Sequence, residues 1–127
     1  MAYRDMVAAS TQVNELLTAG LDLLPIGFAI FDAELRLISC NQQFATLRGY
    51  SAKLCQPGTL LEDFLRLNAQ RGDYGAGDIE QLVQTRIERV LRFETQTIER
   101  ALSNSKTLQV RYQHIPQGGV LMTYTDI

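Results

Sequence analysis

The sequence holds one histidine, two cysteines and no tryptophan. With a single histidine, no Ser-His-Asp or Cys-His constellation can form except around His114. Cys40 and Cys55 with that one histidine make no zinc-ligand spacing, so no metal site is expected. In a reducing compartment the two thiols read as free and structural. No apolar run approaches the ~18–20 residues of a membrane-spanning helix. The opening MAYRDMVAAS lacks the basic-then-apolar layout of a signal peptide, which leaves a cytoplasmic location as the expectation. Twelve Lys and Arg stand against fourteen Asp and Glu, for a net charge of −2 and no run of one sign. That balance gives no reason to expect nucleic acid or a membrane surface as partner.

What is present suits one soluble domain: 127 residues, 46% hydrophobic and 20% charged, enough for a single core. The chain is organised around Pro25 to Tyr50. Residues 28–31, Phe-Ala-Ile-Phe, read as a buried strand. Asp32-Ala33-Glu34 is a compact turn, and Leu35 to Cys40 is expected to be a second strand. Asn41 stands where a helix N-cap is wanted, its side-chain oxygen able to take a free amide. Phe44 follows as a core residue with Leu47 on the same helical face, and Gly49 supplies the left-handed stop.

Upstream, residues 4–19 have helical character, with Val13, Leu16 and Leu17 in an apolar stripe and Pro25 ending the segment. The stripe covers either the outer face of its own sheet or the same helix of a second chain. Downstream, Ser51 caps a single turn that Pro57-Gly58 ends. Thr59 with Glu62 reads as a capping box for a helix bearing Leu61, Phe64 and Leu65 and ending at Gly72. RGDYGAG, residues 71–77, is a loop. It lacks the Lys-Ser/Thr ending of a phosphate cradle.

Asp78 with Gln81 caps the next helix, 78–93, whose Arg86, Glu88, Arg89 and Arg92 are expected on the solvated side. Three strand-like runs follow: Glu94 to Leu102, Thr107 to Ile115 and Val120 to Thr125. They are joined by turns at 103–106 and 117–119. In the middle run Leu108, Val110, Tyr112 and His114 point one way. Five strands with intervening helices make an α+β sheet with helices on one face.

Gly27, Phe31-Asp32, the Asn41-Gln42-Gln43-Phe44 run, RGDYGAGD at 71–78, Gly118-Gly119 and the terminal Thr-Tyr-Thr-Asp-Ile come in an order that resembles a PAS domain over residues 21–127. The kind it resembles precedes histidine-kinase or diguanylate-cyclase domains in bacterial signalling proteins, two-component systems among them. The resemblance implies an antiparallel sheet in the order 2-1-5-4-3, with residues 1–24 as a flanking dimerisation helix and 25–127 as the sensor domain. The apolar stripe of Val13, Leu16 and Leu17 predicts a homodimer, and the resemblance implies a possible small-molecule ligand held between the sheet and residues 41–92.

Tyr112 and His114 are the polar pocket candidates if their face is the inner one. His114 otherwise reads as a satisfied structural histidine. Haem-binding members carry a histidine on the long helix, and residues 78–93 have none. Flavin-binding members carry Asn-Cys-Arg, whereas Cys40-Asn41 has the order reversed. No cofactor is therefore expected, and no catalytic residue. In sensors of this kind a signalling helix follows Asp126-Ile127, so the chain reads as an excised domain with Asp126 at the switch. The alternative is a small α+β enzyme of the cone-shaped isomerase type, with Asp or Tyr in a pocket beneath the sheet.

Overall fold

Alternation along the strands decides which way the sheet faces. In a computed structural model, which describes residues 12–13, 15–17, 19–92, 96–101 and 106–127, strand β1 (Ile26–Phe31) buries every second residue. Ala29 and Phe31 point into the core with no exposed surface. Strand β5 (Val120–Asp126) does the same with Val120, Met122 and Tyr124, and β4 (Thr107–His114) with Leu108 and Val110. Strands β2 (Leu37–Cys40) and β3 (Gln96–Ala101) complete one sheet in the order β2-β1-β5-β4-β3, every pair antiparallel. This is the order that the PAS resemblance implies. The expected extension of the β3 run to Glu94 and Leu102, and the expected turn at 103–106 apart from Lys106, lie outside the described residues.

Three helices follow the early hairpin: α1 (Gln42–Arg48), α2 (Leu61–Gln70) and α3 (Ile79–Leu91). Phe44 of α1, fully buried, stacks on Tyr124 with ring centroids 5.3 Å apart. It also meets Phe64 of α2 edge-on at 5.5 Å. Phe31 and Tyr50 each close on Phe64 in the same way, at 6.0 and 5.1 Å. Such pairs each add about 0.5–1.5 kcal/mol beyond the area they bury. The aromatic cluster therefore clamps α1 and α2 onto the middle of the sheet.

Two glycines permit this closeness. A Cβ on Gly27 would lie 2.7 Å from the Phe44 Cα, so α1 rests directly on the β1 backbone. Gly119, at φ +114°, leaves no room either, since a Cβ there would fall 2.4 Å from the Phe31 carbonyl oxygen.

Asn41 caps α1 as its position predicts, its Oδ1 accepting from Phe44 N at 3.1 Å. The same oxygen accepts from Phe28 N at 2.9 Å, and Nδ2 donates to the carbonyls of Ile26 at 2.8 Å and Leu21 at 3.4 Å. Gly49 closes the helix at φ +63°. Asp78 caps α3 by accepting from Gln81 N at 2.9 Å.

Several boundaries differ from expectation. The second strand begins at Leu37, not Leu35, because the Asp32 carboxylate accepts from Glu34 N and Arg36 N and holds Leu35 in a left-handed turn at φ +62°. Thr59 is not a cap. Its carbonyl accepts from Leu37 N at 2.8 Å, and the first amide of α2, Leu61 N, is satisfied instead by the Leu35 carbonyl. The helix ends at Gln70 rather than Gly72, and the last strand includes Asp126. Among the described residues before β1, Val13, Leu16 and Leu17 are helical and 54%, 72% and 59% exposed.

Because Asn41 joins α1, β1 and the segment before β1, Asn41→Ala is expected to cost about 2–4 kcal/mol, above the ~1 of a cap alone. Urea denaturation of both proteins measures this. A loss of about 1 kcal/mol or less would show that only the cap matters.

Candidate functional site

A polar network is set into the wall of the aromatic core, and it starts from Arg48. Arg48 occupies the last turn of α1, where a cation suits the helix dipole, yet its side chain is only 5% exposed. Its guanidinium pairs with the equally buried Asp73 of the 71–77 loop and donates to Asn68 Oδ1 at 2.7 Å. Asn68 Oδ1 also accepts from the Tyr50 hydroxyl at 2.8 Å, while its Nδ2 donates to the Tyr74 hydroxyl at 3.1 Å. Tyr50 and Tyr124 bring their hydroxyls to 3.4 Å. Arg71 donates to the carbonyls of Arg48 and Gly49 and so also caps the C-terminus of α1.

Burial by itself disfavours the Arg48 cation. The Tyr50 hydroxyl and Asp73 reverse that effect and hold it charged. Breaking such a buried pair from one side typically costs about 3–5 kcal/mol, so the loop and the helix end are tied together.

Beyond this network lies a cavity of about 20 Å³, between α3 and the inner face of β3 and β4. That is room for about one water-sized group. Tyr112 lines it, together with Tyr74, Tyr124, Arg86 and Arg100. Arg86 departs from the solvated side of α3 on which its spacing placed it. Its guanidinium lies 3.5 Å from the centroid of the Tyr74 ring, and its Nη1 donates to the Leu82 carbonyl at 2.9 Å. Arg100 of β3 approaches the same ring at 4.7 Å. Burial pushes the phenols of Tyr112, Tyr124 and Tyr74 upward, so all three remain neutral through the physiological range. The site therefore offers guanidinium donors and uncharged hydroxyls, groups that hold a ligand by hydrogen bonds.

His114 shares the inner face with Tyr112, as the period-two pattern predicts, but not its cavity. It lines a second hollow of about 240 Å³ with Asp32, Leu35, Val90 and Leu91. Asn41 and Phe44 sit in the structural core, and Asp126 ends β5 opposite Leu108, exposed. Arg48, Asn68, Asp73, Tyr74 and Arg86 were not marked by sequence reasoning. The only local hint was Asp73-Tyr74 standing between glycines in a loop that otherwise reads as plain connection. Cys40 and Cys55 are free thiols, with Cys40 Sγ 3.8 Å from the Cys55 carbonyl oxygen. Among the described residues no group of three His, Cys, Asp or Glu side chains could hold a metal ion.

A family model for the PAS fold matches residues 21–127. The chain belongs to the PAS-fold family. Solved structures agree on the architecture. A domain of the sensory box sensor histidine kinase/response regulator from Geobacter sulfurreducens is 17% identical, with a TM-score of 0.56 over 94% of this chain and 96% of that one. The PAS domain of an HTR-like protein from Haloarcula marismortui is 18% identical, with a TM-score of 0.58 over 98% and 99%. The PAS domain of Bordetella pertussis BvgS is 18% identical, with a TM-score of 0.57 over 91% and 87%. No curated protein matches the chain.

Burial, then the adjacent Cys55, pushes the Cys40 thiol up to about 11 from 9.0. The native state thus favours the neutral thiol. The stability this contributes is intact below about pH 9 and is lost as pH rises towards about 11. At pH 8 iodoacetamide should alkylate Cys40 about a hundredfold more slowly in the folded than in the unfolded protein, following the thiolate fraction. Peptide mass mapping over time reads this directly, and equal rates would contradict the burial.

Proposed function

We propose that the chain is the sensory and dimerisation module of a bacterial signal-transduction protein, regulating a histidine kinase or diguanylate cyclase. One observation carries the reading: Tyr124, on the central strand β5, lines the cavity under the sheet, and Asp126 follows two residues later on the same strand. A group entering the cavity would press on β5. Because β5 is hydrogen-bonded to both β1 and β4, it moves with the sheet and not alone. Asp126 is the point from which that movement leaves the domain, with a carboxylate suited to the N-terminus of a following helix. One structural neighbour, a domain of a sensory box sensor histidine kinase/response regulator, supports the signalling role. Tyr112 is the pocket residue of this reading, and His114 belongs to the adjoining hollow. No reaction is assigned to either.

Dimerisation rests on apolar surface. Val13, Leu16 and Leu17 are exposed. The outer face of the sheet carries a hollow of about 290 Å³ walled by Leu21, Leu24, Ile26, Phe28, Ile30 and Leu121. Two chains would cover both surfaces by laying their leading helices across each other's sheets. A cytoplasmic location accords with the finding that no described helix is long and apolar enough to cross a membrane.

Two measurements bear on this. Sedimentation of the protein beside a version starting at Leu21 should give a dimer and a monomer respectively; two monomers would remove the dimer and leave the fold untouched. In a parent protein carrying its effector, Asp126→Ala should change this domain's stability by no more than about 0.5 kcal/mol, as for an exposed site, and so leave its thermal midpoint nearly unmoved. The effector's activity should nonetheless be uncoupled from its input. A destabilised variant with normal regulation would mean that Asp126 only pins the end of the strand.

A further inference from the structure

Arg86 of α3 and Arg100 of β3 share one aromatic ring. Their guanidiniums lie 3.5 and 4.7 Å from the centroid of Tyr74, and both residues line the cavity of about 20 Å³ beneath the sheet. The carboxylate of the neighbouring network, that of Asp73, is taken by Arg48. Arg100 reaches the Asp73 carbonyl oxygen, at the long distance of 3.5 Å. Arg86 Nη1 donates to the Leu82 carbonyl at 2.9 Å, whereas its buried Nε has no hydrogen-bond partner among the described residues. Neither arginine meets a carboxylate among those residues.

A guanidinium Nε–H held out of water without an acceptor costs free energy, and two cations on one ring add mutual repulsion. Stacking on Tyr74 recovers a part of this and fixes how the guanidiniums lie. Burial disfavours the Arg86 cation, the Tyr74 phenol opposes that effect, and the Arg100 cation adds to it. A water molecule in the cavity would satisfy the Nε donor and leave both charges uncompensated. A monatomic anion does both.

We propose that this cavity binds a single halide ion of the size of chloride, held by Arg86 Nε and the Arg100 guanidinium with the Tyr112 hydroxyl as a further donor. The proposal goes beyond the signalling role, since it names an occupant of the cavity whatever β5 transmits. Volume sets the class. Room for about one water-sized group suits a monatomic ion and excludes a carboxylate, phosphate or sulfate, each built of several heavy atoms. Tyr112 lines the same space, and burial keeps its phenol protonated, so it adds an O–H donor and no competing negative charge. Stripping water from an ion is costly, and chloride gives up its hydration more easily than the smaller fluoride. Both arginines are half-buried, so the ion reaches the site without opening the aromatic core.

Thermal unfolding of the intact protein tests this, with sodium chloride, bromide, fluoride or acetate exchanged for sodium gluconate at constant ionic strength. Chloride and bromide should raise the midpoint saturably, and fluoride and acetate should not. In Arg86→Gln and in Arg100→Gln, half-saturation should need about tenfold more chloride or beyond, as for a lost hydrogen bond to a charged group. Arg66→Gln, which removes a surface pair with Glu80, should leave the chloride response unchanged. Circular dichroism identifies a variant that fails to fold, and either arginine variant alone suffices. Crystals grown in bromide should show an anomalous peak between Arg86 and Arg100. A midpoint indifferent to the choice of salt would overturn the anion and leave water as the occupant. An equal response to acetate would overturn the monatomic class. A chloride response that survives both substitutions, or bromide found only elsewhere, would place the ion outside the cavity and overturn the proposal. None of these results touches the coupling of β5 to Asp126, which the variant of the parent protein measures separately.

Discussion

One side chain sets the geometry on which the rest depends. Asn41 lies 4% exposed at the junction of strand, helix and leading segment, and its amide is engaged at both ends. Its backbone N–H donates to the Phe28 carbonyl at 3.2 Å while its Oδ1 accepts from the Phe28 N–H, so Asn41 continues the β1–β2 ladder one rung beyond β2. The chain then turns directly into α1, with Asp22 accepting from Gln42 N at 3.0 Å as a second cap from the opposite side. A neutral amide is the one short side chain that can accept from two amides and donate to two carbonyls at once. With α1 fixed in this way, Phe44 has one place to go, over Gly27 and against Tyr124.

The frame was largely legible from residues because its signals are local. The capping bonds of Asn41 and Asp78 run to amides three residues on, Gly49 stops α1 by its own left-handed backbone, and the alternation along β4 is a property of that strand alone. The order of strands was not legible from periodicity and came only with the family resemblance. The polar network was not legible at all. Arg48 meets Asn68 and Asp73 across twenty and twenty-five positions, and nothing in the spacing of α1 announces that its terminal arginine turns inward. Arg86 misled for a related reason. A helical wheel assigns charge to the outside, whereas a guanidinium can lie flat on an aromatic ring and be half-buried without a carboxylate. Thr59 and Glu62 spelled a capping box, but the Thr59 N–H donates to the Gln56 carbonyl and Leu60 takes the cap position.

Aromatic and polar layers are continuous in this core. Tyr50 and Tyr124 belong to both, with their rings packed on Phe44 and their hydroxyls turned towards the Arg48 network. Each phenol presents an apolar body and a polar tip, which lets a charged pair sit beside fully buried phenylalanines. The arrangement also makes the network dependent on packing. A shift of Phe44 would move Tyr124 and change the hydroxyl contacts, so the apolar core and the cavity wall respond as one body.

The pairing between residues 58–61 and β2 bears on how such domains assemble. The Leu37 amide and carbonyl, and the Leu35 carbonyl, are bonded to the segment that enters α2, which covers this margin of the sheet as an additional strand would. An open margin is a template for strand addition from another chain, and a covered one is not. The opposite margin, β3, carries Glu99 and Arg100, charges that discourage stacking of sheet upon sheet along the hydrogen-bonding direction. Both margins therefore disfavour growth of the sheet edge to edge. An edge left open would let such pairing propagate from chain to chain without limit.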